Sequence, residues 1–113
     1  MAYQVVTVHP STARTATGNG QAIVEADRGS TLALLVNVTA VSGTTPTLDL
    51  AVQWSVDGTN WAPAETPDTF TQITAIGLKA KTFAVKAPSY RVVWTIGGTT
   101  PSFTFTVHGY MTN

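Results

Sequence analysis

The chain has 113 residues, of which 43% are hydrophobic and only 11% charged, with six Lys and Arg balancing six Asp and Glu. That length holds one domain able to bury roughly two-thirds of its unfolded surface, and a net charge of +0 with no basic run excludes the electrostatic footprint of nucleic-acid binding. No cysteine is present for a disulfide frame or a thiolate centre, no stretch is long and apolar enough to span a bilayer, and the N-terminus lacks a signal-peptide pattern. The expectation is a product of a reducing cytoplasm with no nucleic-acid or membrane partner.

In chain order, residues 4–8 alternate weakly and end at His9-Pro10, where proline removes a ladder donor and should stop the strand. Residues 11–20, rich in Ser, Thr, Gly and Asn, read as a flexible arm, so that residues 1–20 form an N-terminal strand and arm and residues 21–113 the core. Pairing is expected to resume over residues 21–25, followed by a turn at Asp27-Arg28-Gly29-Ser30. Residues 31–41 carry the strongest strand signal, with Leu32, Leu34, Val36 and Val38 on one face; Leu35 breaks the alternation and implies that the second face is partly covered.

Two phrases nearly repeat: Gly43-Thr44-Thr45-Pro46-Thr47-Leu48-Asp49-Leu50 and Gly98-Thr99-Thr100-Pro101-Ser102-Phe103-Thr104-Phe105. Each is a Gly/Thr/Pro turn signal between alternating segments, so each reads as a β-hairpin. The two are expected to occupy comparable central places about a pseudo-twofold axis. Between them, Asp57-Gly58 predicts a tight turn, residues 62–69 a loop, and residues 70–76 and 79–86 two short strands. Trp54 and Trp94 fall in phase with their apolar neighbours and belong to the core. The predicted fold is all-β: a single antiparallel β-sandwich or closely related barrel of about eight strands with an internally repeated hairpin.

Chemistry is sparse. His9 and His108 lack a second ligand at metal-binding spacing, no serine sits in a nucleophile elbow, and no glycine loop resembles a phosphate cradle. The carboxylates Asp49, Asp57, Glu65 and Asp68 would act as a glycosidase pair only if the fold gathered two in a cleft. No catalytic residue, cofactor or metal is therefore expected, and the chain reads as a non-enzyme. The weakly charged surface suits a protein packed against neighbours, because Thr and Ser are cheaper to desolvate than Lys or Glu.

The two repeated phrases, together with Ser55-Val56-Asp57-Gly58-Thr59-Asn60-Trp61 and Thr15-Ala16-Thr17-Gly18-Asn19-Gly20, resemble small structural proteins of tailed bacteriophages. The resemblance covers most of the chain and implies a head decoration, or cement, protein on the outer surface of the virion. Its partner would be the major capsid protein of the phage head, and its own state a homo-oligomer such as a trimer. Candidate contacts are Tyr3, Val5, His9 and Arg14 in the N-terminal segment, and Trp61 beside the Asp57-Gly58 turn. Two other readings stay open: a tail or baseplate accessory domain that contacts glycans, and a module resembling carbohydrate-binding β-sandwiches.

Overall fold

A computed structural model describes residues 5–20, 23 and 30–112. The strands are β1 (Val5–Arg14), β2 (Gly18–Asn19), β3 (Thr31–Ser55), β4 (Asp68–Thr69), β5 (Gly77–Ala84) and β6 (Ser89–Thr112). They form one open antiparallel sheet in the order β1-β6-β3-β4, with β2 also on β6 and β5 also on β3. Among the described residues the pairing thus draws six strands in one sheet where the periodicity predicted about eight: β3 and β6 each absorb two of the expected segments, and the short β2 and β4 arise where an arm and a loop were expected. No helix occurs among the described residues.

The repeated phrases are not hairpin turns. Neither long strand reverses at its Gly-Thr-Thr-Pro; each continues through it and pairs with the other, from Thr31 opposite Thr112 to Ser55 opposite Ser89. The register slips only around the phrases, between Val38 and Ala40, Ser42 and Thr44, and Thr44 and Thr47. There Gly43 (φ 111°), Thr45 (46°), Gly98 (113°) and Thr100 (47°) take positive φ and bend both strands. The two bends lock reciprocally: a Cβ on Gly43 would lie 2.7 Å from the Thr100 carbonyl oxygen, and one on Gly98 2.8 Å from that of Thr45. Thr44 pairs with its own counterpart Thr99, and Val41–Phe103 repeats as Leu48–Ile96, so a pseudo-twofold axis runs through the bend in the register itself.

The bend folds the sheet so that its apolar faces meet. One half consists of β1, the C-terminal part of β6, the N-terminal part of β3, and β5. The other consists of β2, the N-terminal part of β6, the C-terminal part of β3, and β4. Phe105 of the first half meets Trp94 of the second edge-on at 5.5 Å, and Phe83 on β5 meets Phe70, just after β4, at 5.7 Å. Gly109 lies so close to the Tyr90 hydroxyl that a Cβ there would be 2.7 Å from it. Leu32, Leu34, Val36, Val38, Leu50, Val52, Trp54, Val92 and Phe103 fill the interior as their alternation requires, and Trp54 and Trp94 are both buried.

Other local expectations shift. β1 does not stop at Pro10 but runs on to Arg14, and its register slips between Thr7 and His9 and between His9 and Thr12. Proline is tolerated because β1 is the sheet edge and Pro10 falls in an irregularity that asks it for no donor. Residues 15–20 are likewise fastened: β2 pairs with Val93 and Trp94, Trp94 Nε1 donates to the Ala16 carbonyl (3.1 Å), and the Ile96 amide donates to Thr17 Oγ1 (3.2 Å). The supposed arm therefore strides from one half of the sheet to the other. Residues 70–76 form no strand, meeting β3 through the Ile73–Leu48 bridge, the Phe70 amide on the Leu50 carbonyl and the Gln72 side chain on Asp49. The second predicted strand, 79–86, occurs shifted as β5. Of the pairing predicted over residues 21–25, Ile23 bridges Tyr90; the rest, and the turn from Asp27 to Gly29, lie outside the described residues.

Candidate functional site

The outward face of the first half is a feature of the described surface that core packing does not explain. Because Leu32, Leu34, Val36 and Val38 point inward, Ala33, Leu35 and Asn37 point out, and the register carries three rows across the sheet. Tyr110, Ala33 and Thr82 form one row; His108, Leu35 and Ala80 the next; Thr106, Asn37 and Leu78 the third. β1 extends the first row with Val5 and the second with Thr7. None of these residues bears a fixed charge. Val5 is 62% exposed, Leu78 64%, Leu35 40% and Tyr110 36%, so four of the molecule's large exposed hydrophobic side chains share one face.

The short side chains of Ala33 and Ala80, between the longer Val5, Leu35 and Tyr110, leave a trough of about 590 Å³ that His108 and, from the β5 side, Lys81 also line. The Nδ1 atom of His108 is buried without a hydrogen-bond partner. Such an atom costs about 1–3 kcal/mol until something bonds to it. The neighbouring edge is closed: Lys79 and Lys81 on β5 face inward, opposite Val36 and Leu34. Lys81 Nζ reaches across the gap between the halves to the Thr69 carbonyl (2.6 Å) and lies 5.5 Å from the Phe83 ring. Inward-pointing lysines on an edge strand oppose edge-to-edge pairing.

The sequence-derived candidates scatter. Val5 lies on the uncharged face, and Tyr3 falls outside the described residues. His9 is 1% exposed and unavailable to a partner. Its ring stacks on Phe105 (4.3 Å, 14°) and meets Trp94 edge-on (4.9 Å). Arg14 is half-buried beside it: Nε donates to His9 Nε2 (2.9 Å) and the guanidinium lies 5.1 Å from the Trp94 ring. Since Nε2 accepts, Nδ1 carries the proton and donates to the Phe105 carbonyl (3.0 Å). Burial, and then the Arg14 charge, hold the His9 pKa below the ordinary histidine value.

Trp61 sits on the other half of the sheet, half-buried under Arg91, whose guanidinium is 4.9 Å from the ring and is itself fixed by Gln53 Oε1 (2.8 and 2.9 Å). Leu35, Leu78, His108 and Tyr110 were not among the candidates. The signal for Leu35 was its break in alternation: the side chain faces outward and is 40% exposed.

The carboxylates are occupied separately. Asp57 accepts from the amides of Asn60 and Thr59 (2.8 Å each), from the Asn60 side chain and from Ser55 Oγ, which together hold its carboxyl well below the usual range. Gly58 (φ 77°) takes the positive φ of this turn, and Asp57 serves as its acceptor. Asp68 receives Trp54 Nε1 (2.8 Å) and Lys86 (2.9 Å), and Asp49 receives Gln72 (3.0 Å). Among the described residues no three His, Cys, Asp or Glu side chains cluster to hold a metal ion. Neither a scan of protein-family models nor a search of curated protein sequences finds a match to this chain.

Proposed function

We propose that the chain is a non-enzymatic virion structural protein that decorates the assembled head of a tailed phage and docks through the uncharged face around Leu35. The observation that carries this reading is that face: four large hydrophobic residues exposed on a sheet surface whose outward rows bear no fixed charge. A face of this kind suits a protein partner and offers nothing to a phosphate backbone. The resemblance of the repeated phrases to phage structural proteins adds the head, its major capsid protein and a homo-oligomer such as a trimer. In the same reading the folded sheet acts as a β-sandwich, with each long strand counted twice at its bend.

The size of the face bears on the mechanism. Three rows over four strands cover on the order of 300–400 Å² by strand spacing and rise, below the roughly 800 Å² per partner of an ordinary stable complex. Attachment then gains from repetition: many copies on a symmetric lattice, or several contacts within one oligomer, make later contacts effectively intramolecular. A protein that binds only the expanded shell stabilises that state by mass action.

Co-sedimentation with empty shells tests the reading, with Leu35→Glu and Leu78→Glu as variants. The expected result is saturable binding of the native chain and its loss in both variants, with the far-UV dichroism unchanged. Equal binding by the variants, or virions that lack the protein, overturns it. Quantitative mass spectrometry of virions separates the head from a tail tip or baseplate, since the shell demands many more copies.

A further inference from the structure

We propose that His9, Arg14 and Trp94 form an acid-released latch that holds β1 to the sheet and, with it, the Val5 edge of the uncharged face. β1 is an edge strand with two register slips and a proline, so its ladder to β6 is broken where an intact strand would be most secure. The latch spans that break. His9 lies at the slip itself, buried, with one ring nitrogen on the Phe105 carbonyl and the other accepting from Arg14. Arg14 closes the strand's end by covering Trp94, which belongs to the opposite half of the sheet.

Protonation breaks this arrangement at one atom. A proton taken from solvent by His9 Nε2 occupies the lone pair that accepts the Arg14 Nε–H, and converts that contact into a donor facing a donor beside a second positive charge. On β1 the charged group facing the ring is Arg14; from β6 come the Phe105 carbonyl and the Phe105 and Trp94 rings, which carry no formal charge to offset it. Burial disfavours the charged ring further. Relief comes by lifting β1 so that both cations reach water. The Val5–Tyr110 and Thr7–His108 neighbours then separate, and the docking face loses one strand of its four. That last consequence rests on the docking reading, whereas the latch does not.

The test is amide hydrogen exchange of the full chain, corrected for the intrinsic rate, at about pH 8 and about pH 5, on either side of the ordinary histidine range. Protection over Val5–Arg14 should fall about tenfold or more at the acid end, while the C-terminal part of β3 keeps its protection. His9→Gln preserves an amide donor for Phe105 and an oxygen acceptor for Arg14 without a titrating ring, and should hold β1 equally at both values. Unchanged protection of β1 in the native chain, or the same acid loosening in H9Q, overturns the latch.

If H9Q leaves β1 open throughout, NMR titration of the native chain decides instead. β1 amides that shift in step with the His9 ring support the latch, and β1 amides that follow His108 or do not move overturn it. Exchange is measured on the chain alone, so a failed latch leaves shell docking standing, and unchanged shell binding by Leu35→Glu leaves the latch standing.

Discussion

The two halves of the folded sheet share an interior and differ on the outside. Inward, Leu32, Leu34, Phe103 and Phe105 face Leu50, Val52, Val92 and Trp94 across a pseudo-twofold axis. Outward, the central pair of one half is Leu35 beside His108, with an unpartnered buried nitrogen and three exposed hydrophobic neighbours, Val5, Leu78 and Tyr110. The matching surface of the other half is Gln53 beside Arg91, bonded to each other, with the Arg91 guanidinium laid over Trp61. The repeat is therefore a device for building the core, and the asymmetry between the outer faces distinguishes a satisfied surface from an unsatisfied one. Interior positions tolerate little change of volume, whereas outward positions are free to diverge toward a partner.

Substitutions can break that comparison in decreasing steps. Phe105→Ala should cost about 3–5 kcal/mol, because its ring packs on both His9 and Trp94 and joins the halves; urea unfolding followed by Trp fluorescence measures it. Gly43→Ala and Gly98→Ala should each cost about 2 kcal/mol or more, from positive φ and from contact with the facing backbone. The sharper point is that the two losses should agree, as the reciprocal geometry requires. Unequal losses would show that the two bends do not share strain.

Acid should separate the halves in a different way. His9 has a lowered pKa in the folded chain, so the unfolded chain binds the extra proton first. Stability is full above about pH 6.5, the ordinary histidine value, falls as the pH drops below it, and levels off below the depressed folded value. The native chain should show this slope and H9Q should lack it. Smallest of all, Leu35→Glu should change stability by less than about 0.5 kcal/mol, as an exposed substitution does. Arg91→Ala should cost about 0.5–1 kcal/mol by uncovering Trp61. On the docking proposal the order should reverse for association: Leu35→Glu should abolish binding to shells and Arg91→Ala should leave it intact.

Much of the interior was legible in the sequence. Alternation with a period of two marks which residues of β3 and β6 turn inward, whatever strand lies alongside, and it placed Trp54 and Trp94 in the core. The same logic names Ala33, Leu35 and Asn37 as the outward set. What alternation does not contain is the identity of the neighbour. A Gly-Thr-Thr-Pro phrase between two alternating segments fits a hairpin within one copy as well as a bend paired with the other copy. The choice falls to contacts between Gly43 and Thr100 and between Gly98 and Thr45, far apart in the chain. His9, placed by sequence at a strand end, became a buried link for the same reason: Trp94 and Phe105 approach it only after β6 folds back on itself. Local periodicity determined which side of each strand is wet or dry. Only the non-local pairing of β3 with β6 decided where the strands bend, which outward faces remain bare, and which polar side chain is shut inside.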